Sequence, residues 1–146
     1  MLIDTNILIY ATFQGAPEHD QARLWLQAQL QTGSVVLSWP VIYALVRLIT
    51  SPRIFGASAL SVAAGWNVAQ GYLDQSGVRM VTAGPLHQSI ALDLANTPGL
   101  RSDDVPDIEI AALAIEHGLV LASHDRGFRR FSGVRVVDPL NNEPRL

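Results

Sequence analysis

Met1-Leu2-Ile3-Asp4-Thr5-Asn6 opens the chain as a short apolar run that ends on a carboxylate. The pattern predicts a first strand over residues 2–4, apolar throughout, as expected where both faces of a sheet are covered. Further apolar runs of strand length follow at Val35-Val36-Leu37, Val78 to Val81, Leu119 to Ala122 and Val134 to Val137. Longer helical patterns separate them. One runs from Pro17 to a close at Gly33, another from Pro40 through Ile49, and Thr50-Ser51-Pro52 stops the second. Arg53-Ile54-Phe55-Gly56 reads as a loop. Ser58 is placed to cap a helix through Asp74, whose interior Gly65 and Gly71 weaken it. Pro85 starts a helix through Leu94, Asp107 one that ends at Gly118, and a short helical turn is expected near Phe128. Strands alternating with helices predict one α/β domain over residues 1–146, with a central parallel sheet of about five strands flanked by helices.

Composition narrows the function. With 49% hydrophobic and 16% charged residues, the chain is expected to be compact rather than disordered. No apolar run reaches the roughly 20 residues needed to cross a bilayer, and no basic, then apolar leader opens the sequence. Zero cysteines exclude disulfides and thiolate metal sites, and fit a cytoplasmic setting. All ten basic residues are arginine. Without lysine there is no phosphate-cradling loop of the usual kind, no receiver-type acidic pocket and no Schiff base. A net charge of −3 gives no global attraction to nucleic acid, so any such binding must be local.

Three aspartates are set to converge. In a parallel α/β sheet the helices begin where the strands end, and ligands bind at that edge. Asp4 follows the first strand, Asp125 follows the fourth, and Asp107 starts the helix that leads into the fourth. If strands one and four are neighbours, all three meet in one crevice, where they repel unless a cation lies among them. Each has a structural reading as well. Asp4 and Asp125 are placed to cap helical turns, and Asp104 with Asp107 resembles a reciprocal cap around Val105-Pro106.

At these residues the chain resembles the PIN-domain ribonucleases, especially the toxin subunits of bacterial VapBC-type toxin–antitoxin pairs. The matching pieces are L-I-D-T-N at Leu2 to Asn6, A-L-V-R-L-I-T-S-P-R-I-F from Ala44 to Phe55, V-P-D-I-E-I-A-A-L-A-I-E-H-G from Val105 to Gly118, and S-H-D-R-G-F-R-R-F from Ser123 to Phe131. The resemblance implies a metal-dependent endoribonuclease in which Asp4, Asp107 and Asp125 ligate Mg²⁺ or Mn²⁺. It also implies that Asn6 orients the first carboxylate, that Ser123 stands by the site, and that a cognate antitoxin silences a homodimer. One departure stands out. The family carries a glutamate three residues before the arginine matching Arg47, and this chain has Ala44 there. Asp104, one turn before Asp107, is the expected substitute, whereas Glu109 lies about 200° around the helix from Asp107 and should point away.

A hard cation at such a site would activate water for attack on a phosphodiester without a histidine base. The four histidines are accordingly expected at the surface or beside the site rather than in it. Arg47, expected to face the crevice, and Arg53, Arg101, Arg126, Arg129 and Arg130 are candidate phosphate contacts. Trp39, Trp66 and Tyr72 are candidates to stack bases or to pack in cores and interfaces. Two other functions compete: a catalytically weakened PIN fold acting as an RNA- or protein-binding module, kept open by Ala44, and an aspartate-nucleophile phosphatase. The phosphatase needs a second aspartate where this chain has Asn6.

Overall fold

Leu2 and Ile3 are fully buried because their strand is the central one. A computed structural model describes residues 1–141. Its sheet contains β1 (Leu2–Ile3), β2 (Val35–Ser38), β3 (Val78–Val81), β4 (Val120–Ala122) and β5 (Arg135–Val137). They lie in the order β3-β2-β1-β4-β5, every neighbouring pair parallel. Consecutive strands step outward from β1 to β3 on one side, then β4 and β5 build on the other. The order therefore reverses between β1 and β4, where α/β sheets bind ligands.

Seven α-helices flank the sheet among the described residues: α1 (Thr5–Thr12), α2 (His19–Gln31), α3 (Trp39–Ile49), α4 (Pro52–Phe55), α5 (Val62–Leu73), α6 (His87–Ala95) and α7 (Val105–Glu116). In α3, Pro40 sits in the first turn, where its missing N–H costs no hydrogen bond. Val41, Ile42, Leu45, Val46 and Ile49 then form one buried stripe. Ile110 through Leu113, with Ala114, bury α7 so fully that small side chains are needed for close approach to the sheet. Gly118, at φ 62°, ends that helix in the left-handed region that glycine enters freely.

One helix has no signal in the sequence, and two local expectations need correction. The eight residues after Asp4 form α1, which has no apolar periodicity and several β-branched residues; burial of Thr5, Ile7 and Leu8 overrides that weak propensity. Residues 53–55, expected as loop, belong to the single turn α4, started by Pro52 and ended at Gly56. Phe55 there stacks on Phe13 at 4.1 Å between ring centroids. The cap of α5 is Ser61, whose Oγ accepts from Ala64 N at 3.1 Å, and not Ser58. The physical reason is the bond from Leu60 N to Ile49 O, 3.0 Å, which ties the preceding residue to the end of α3 and delays the helix. Gly65 has a structural purpose in that helix: a Cβ would stand 2.6 Å from Thr50 Cγ2.

Candidate active site

The pairing of Leu2 with Leu121 and Ile3 with Ala122 continues as a bond from Asp4 N to Ala122 O, 3.0 Å. That register sets Ser123 beside Asp4 at the carboxyl edge. Ser123 Oγ donates to Asp4 Oδ2 at 2.6 Å and accepts from Asn6 Nδ2 at 3.1 Å and Asp125 N at 3.0 Å. The hydroxyl thus uses its one proton and both lone pairs. Asn6 Nδ2 also donates to Asp4 Oδ2 at 2.8 Å, and Asn6 Oδ1 accepts from His124 N at 3.3 Å. Asp4 Oδ1 accepts from Thr5 N at 2.6 Å, so the residue caps α1 as well. Burial pushes the Asp4 carboxyl up, the bonds from Ser123 and Thr5 oppose this, and the charge of Asp125 adds to the rise.

Asp107 stands in the first turn of α7, and its carboxyl is pushed up to about 6. Burial is the largest cause, followed by the like charges of Asp125 and Asp4; Arg130 opposes them. Asp125 caps its own 3-10 turn, Arg126–Arg130, by accepting from Gly127 N at 2.7 Å. The three aspartates therefore feel one another across the switch between β1 and β4.

Asp104 is differently placed. Its Oδ1 accepts from Arg130 Nη2 at 2.6 Å and its Oδ2 from Arg101 N at 2.7 Å, and the bond from Arg130 holds its carboxyl low. The same guanidinium nitrogen is 3.8 Å from Asp107 Oδ2. Asp104 is tied to an arginine rather than presented as a free fourth carboxylate. Arg47 is exposed in the last turn of α3, and its guanidinium has no hydrogen bond or ion pair among the described residues. Ala44 is half-buried.

One acidic residue at this edge escaped sequence reasoning. Asp138 follows β5 as Asp4 follows β1, a positional signal already present in the chain. It accepts from His124 Nδ1 at 3.0 Å and from Leu140 N at 3.0 Å, so it anchors the segment carrying Ser123 and Asp125. The His124 ring turns toward Asp138 and the edge of Tyr10, away from the aspartates.

The donors suit a hard cation: oxygen atoms only, with a net anionic charge that Arg130 offsets in part. Among the described residues no three acidic or imidazole side chains already converge on one point that would hold an ion. Mg²⁺ is commonly bound through one or two carboxylates, with waters and substrate phosphate completing its shell, and that mode fits this arrangement.

The sequence and the fold match known proteins. A PIN domain family model matches residues 1–134. Ribonuclease VapC33 of Mycobacterium tuberculosis is 34% identical over 138 residues, covering 94% of this chain and 96% of the relative. Ribonuclease VapC48 of the same organism is 33% identical over 140 residues with the same coverage. In structure, VapBC2 from Rickettsia felis, solved bound to a DNA fragment from its promoter, superposes with a TM-score of 0.70 over 93% of this chain and 96% of that one, at 16% identity. A family model spanning most of the chain, and relatives above 30% identity over nearly all of it, lead to one conclusion: the protein belongs to the PIN-domain family, on the side of the VapC ribonucleases.

Proposed function

We propose that this protein is a metal-dependent endoribonuclease that cuts RNA phosphodiesters at the Asp4–Asp107–Asp125 crevice, and that it is the toxin of a pair held inactive by an antitoxin. The observation that carries the reading is the Asp107 carboxyl, raised by burial and then by the like charges of Asp125 and Asp4 at one sheet edge, in a chain 34% identical to a ribonuclease. A Mg²⁺ or Mn²⁺ ion bound there supplies charge neutralisation on the phosphate and an acidified water. Asn6 and Ser123 keep one Asp4 oxygen oriented, and Asp107 and Asp125 keep the crevice anionic. Arg130, stored against Asp104, stands next to Asp107 where a substrate phosphate would bring negative charge.

Asp107→Asn is expected to lower cleavage of RNA in Mg²⁺ or Mn²⁺ by at least about a hundredfold, on the scale of losing one electrostatic contribution to the transition state. Unchanged cleavage would remove Asp107 from the site. The binding-module reading keeps one supporting observation, that the bond to Arg130 leaves no spare carboxylate to replace the glutamate absent at Ala44. Calorimetric titration with Mn²⁺ of wild type and Ala44→Glu separates the two readings. Metal binding and cleavage that both rise in the variant support the nuclease, and a wild type inert with every divalent ion supports the module.

A further inference from the structure

The first turns of α7 carry chemistry on two faces. Asp107 lies on the side of Asp4 and Asp125. Glu109 follows about 200° around the helix and about 3 Å further along it. Its face borders a cavity of about 170 Å³ walled by Trp39, Val81, Thr82, His87, Glu109 and Leu113. Trp39 directly follows β2, and continuing the Leu2–Val36 pairing sets Ser38 across from Asp4. Neighbouring strands are about 4.8 Å apart, so the cavity begins roughly one strand away from the carboxylates, along the same edge.

The walls define what fits. Trp39 is 44% exposed, leaving indole surface free at the rim, and it leans on Tyr43 at 6.3 Å between ring centroids. Val81 and Leu113 are apolar. The Glu109 carboxylate makes no hydrogen bond or ion pair among the described residues. The His87 ring completes the wall, its buried Nδ1 without a hydrogen bond and 3.7 Å from Glu116. An aromatic surface, apolar walls and an anionic acceptor suit a flat heterocycle bearing N–H donors. We propose that this cavity is a nucleobase subsite of the RNA-cleaving crevice, with Trp39 stacking on the base, Glu109 accepting from its N–H edge, and guanine preferred. Guanine presents two parallel donors, N1–H and N2–H, that match the two oxygens of a carboxylate. Adenine and cytosine each place an acceptor nitrogen beside their amino group, and uracil sets one imino donor between two carbonyls. The placement of this base beside a scissile phosphate rests on the ribonuclease reading.

The test uses the four nucleoside 5′-monophosphates, which contain no phosphodiester to cut, titrated calorimetrically into the metal-free full chain. Guanosine monophosphate is expected to bind about tenfold tighter than uridine monophosphate. Glu109→Gln, at an exposed position, should erase that preference, and Trp39→Ala should weaken all four by about tenfold. Cut sites mapped in a random RNA should show guanine enriched at one fixed position from the cleaved bond, and Glu109→Gln should lose the enrichment. Four mononucleotides that bind alike or not at all, or a cut-site preference unchanged in Glu109→Gln, would overturn the subsite and leave the ribonuclease reading intact. Guanine-selective binding by a chain that cleaves no RNA would uphold the subsite and overturn that reading.

Discussion

Asp107, proposed above as a metal ligand, carries a cost in folding that can be measured without any metal. Its folded-state pKa of about 6 lies above the ordinary value of 3.8, so the folded protein holds a proton there that the unfolded chain releases. Between those two values the folded state binds more protons, and stability falls as pH rises from about 4 to 6 and stays lowered at neutrality. With allowance for the partial exposure of the group, the cost is about 1–2 kcal/mol. Asp107→Asn removes it. In EDTA the variant is expected to melt a few degrees above wild type at pH 7.5, at roughly 2–4 °C per kcal/mol, with the gap closing near pH 4. A gap that persists undiminished at pH 4 would place its origin elsewhere. Asp104 has the opposite sign: held low by Arg130, it adds stability above its ordinary pKa that is lost in acid.

At the scale of elements, α3 and α5 depend on a close approach. A methyl group on Gly65 would meet Thr50 Cγ2 at 2.6 Å, with Val46 Cγ1 and Ile49 Cγ1 at 3.5 and 3.6 Å. Thr50 Oγ1 donates to Val46 O at 2.8 Å, which hinders the methyl from rotating away. Gly65→Ala is therefore expected to destabilise by about 1–3 kcal/mol despite the better helix propensity of alanine. Urea denaturation measures this, and a variant as stable as wild type would mean that α5 shifts outward without strain. The same pair of helices shows what sequence could tell at this level. The start of α3 was legible from Pro40, because proline has few acceptable places in a helix. The start of α5 was not, because Ser58 and Ser61 are chemically alike and only the bond from Leu60 to α3 selects between them.

At the scale of the whole molecule, apolar side chains stand outside the core on the α3–α5 face. Tyr43 and Val62 are each 62% exposed, and Tyr43 meets Trp66 edge-on at 5.4 Å. A second copy of the chain covering this face is expected, as also anticipated from the family resemblance. Light scattering at micromolar concentration should give a dimer for wild type and a monomer for Val62→Glu; a monomeric wild type would sink the idea. No helix among the described residues is long and apolar enough to cross a membrane.

The sequence by itself determined the α/β class and the parallel sheet, and it set Asp4 and Asp125 after strands and Asp107 in the first turn of a helix. Hydrophobic period, proline and glycine positions and the apolar runs ending near Asp4 and Asp125 are local properties, readable wherever the chain goes. Tertiary structure alone decided the rest. It formed α1 by burying a segment with no helical period. It gave Asp138 to His124, and it spent Asp104 on Arg130, 26 positions away. It also joined Trp39 to Glu109 around one cavity, 70 positions apart along the chain. Those outcomes depend on which distant groups the sheet order brings together, and a charge or an aromatic ring carries no local mark of the partner it will meet.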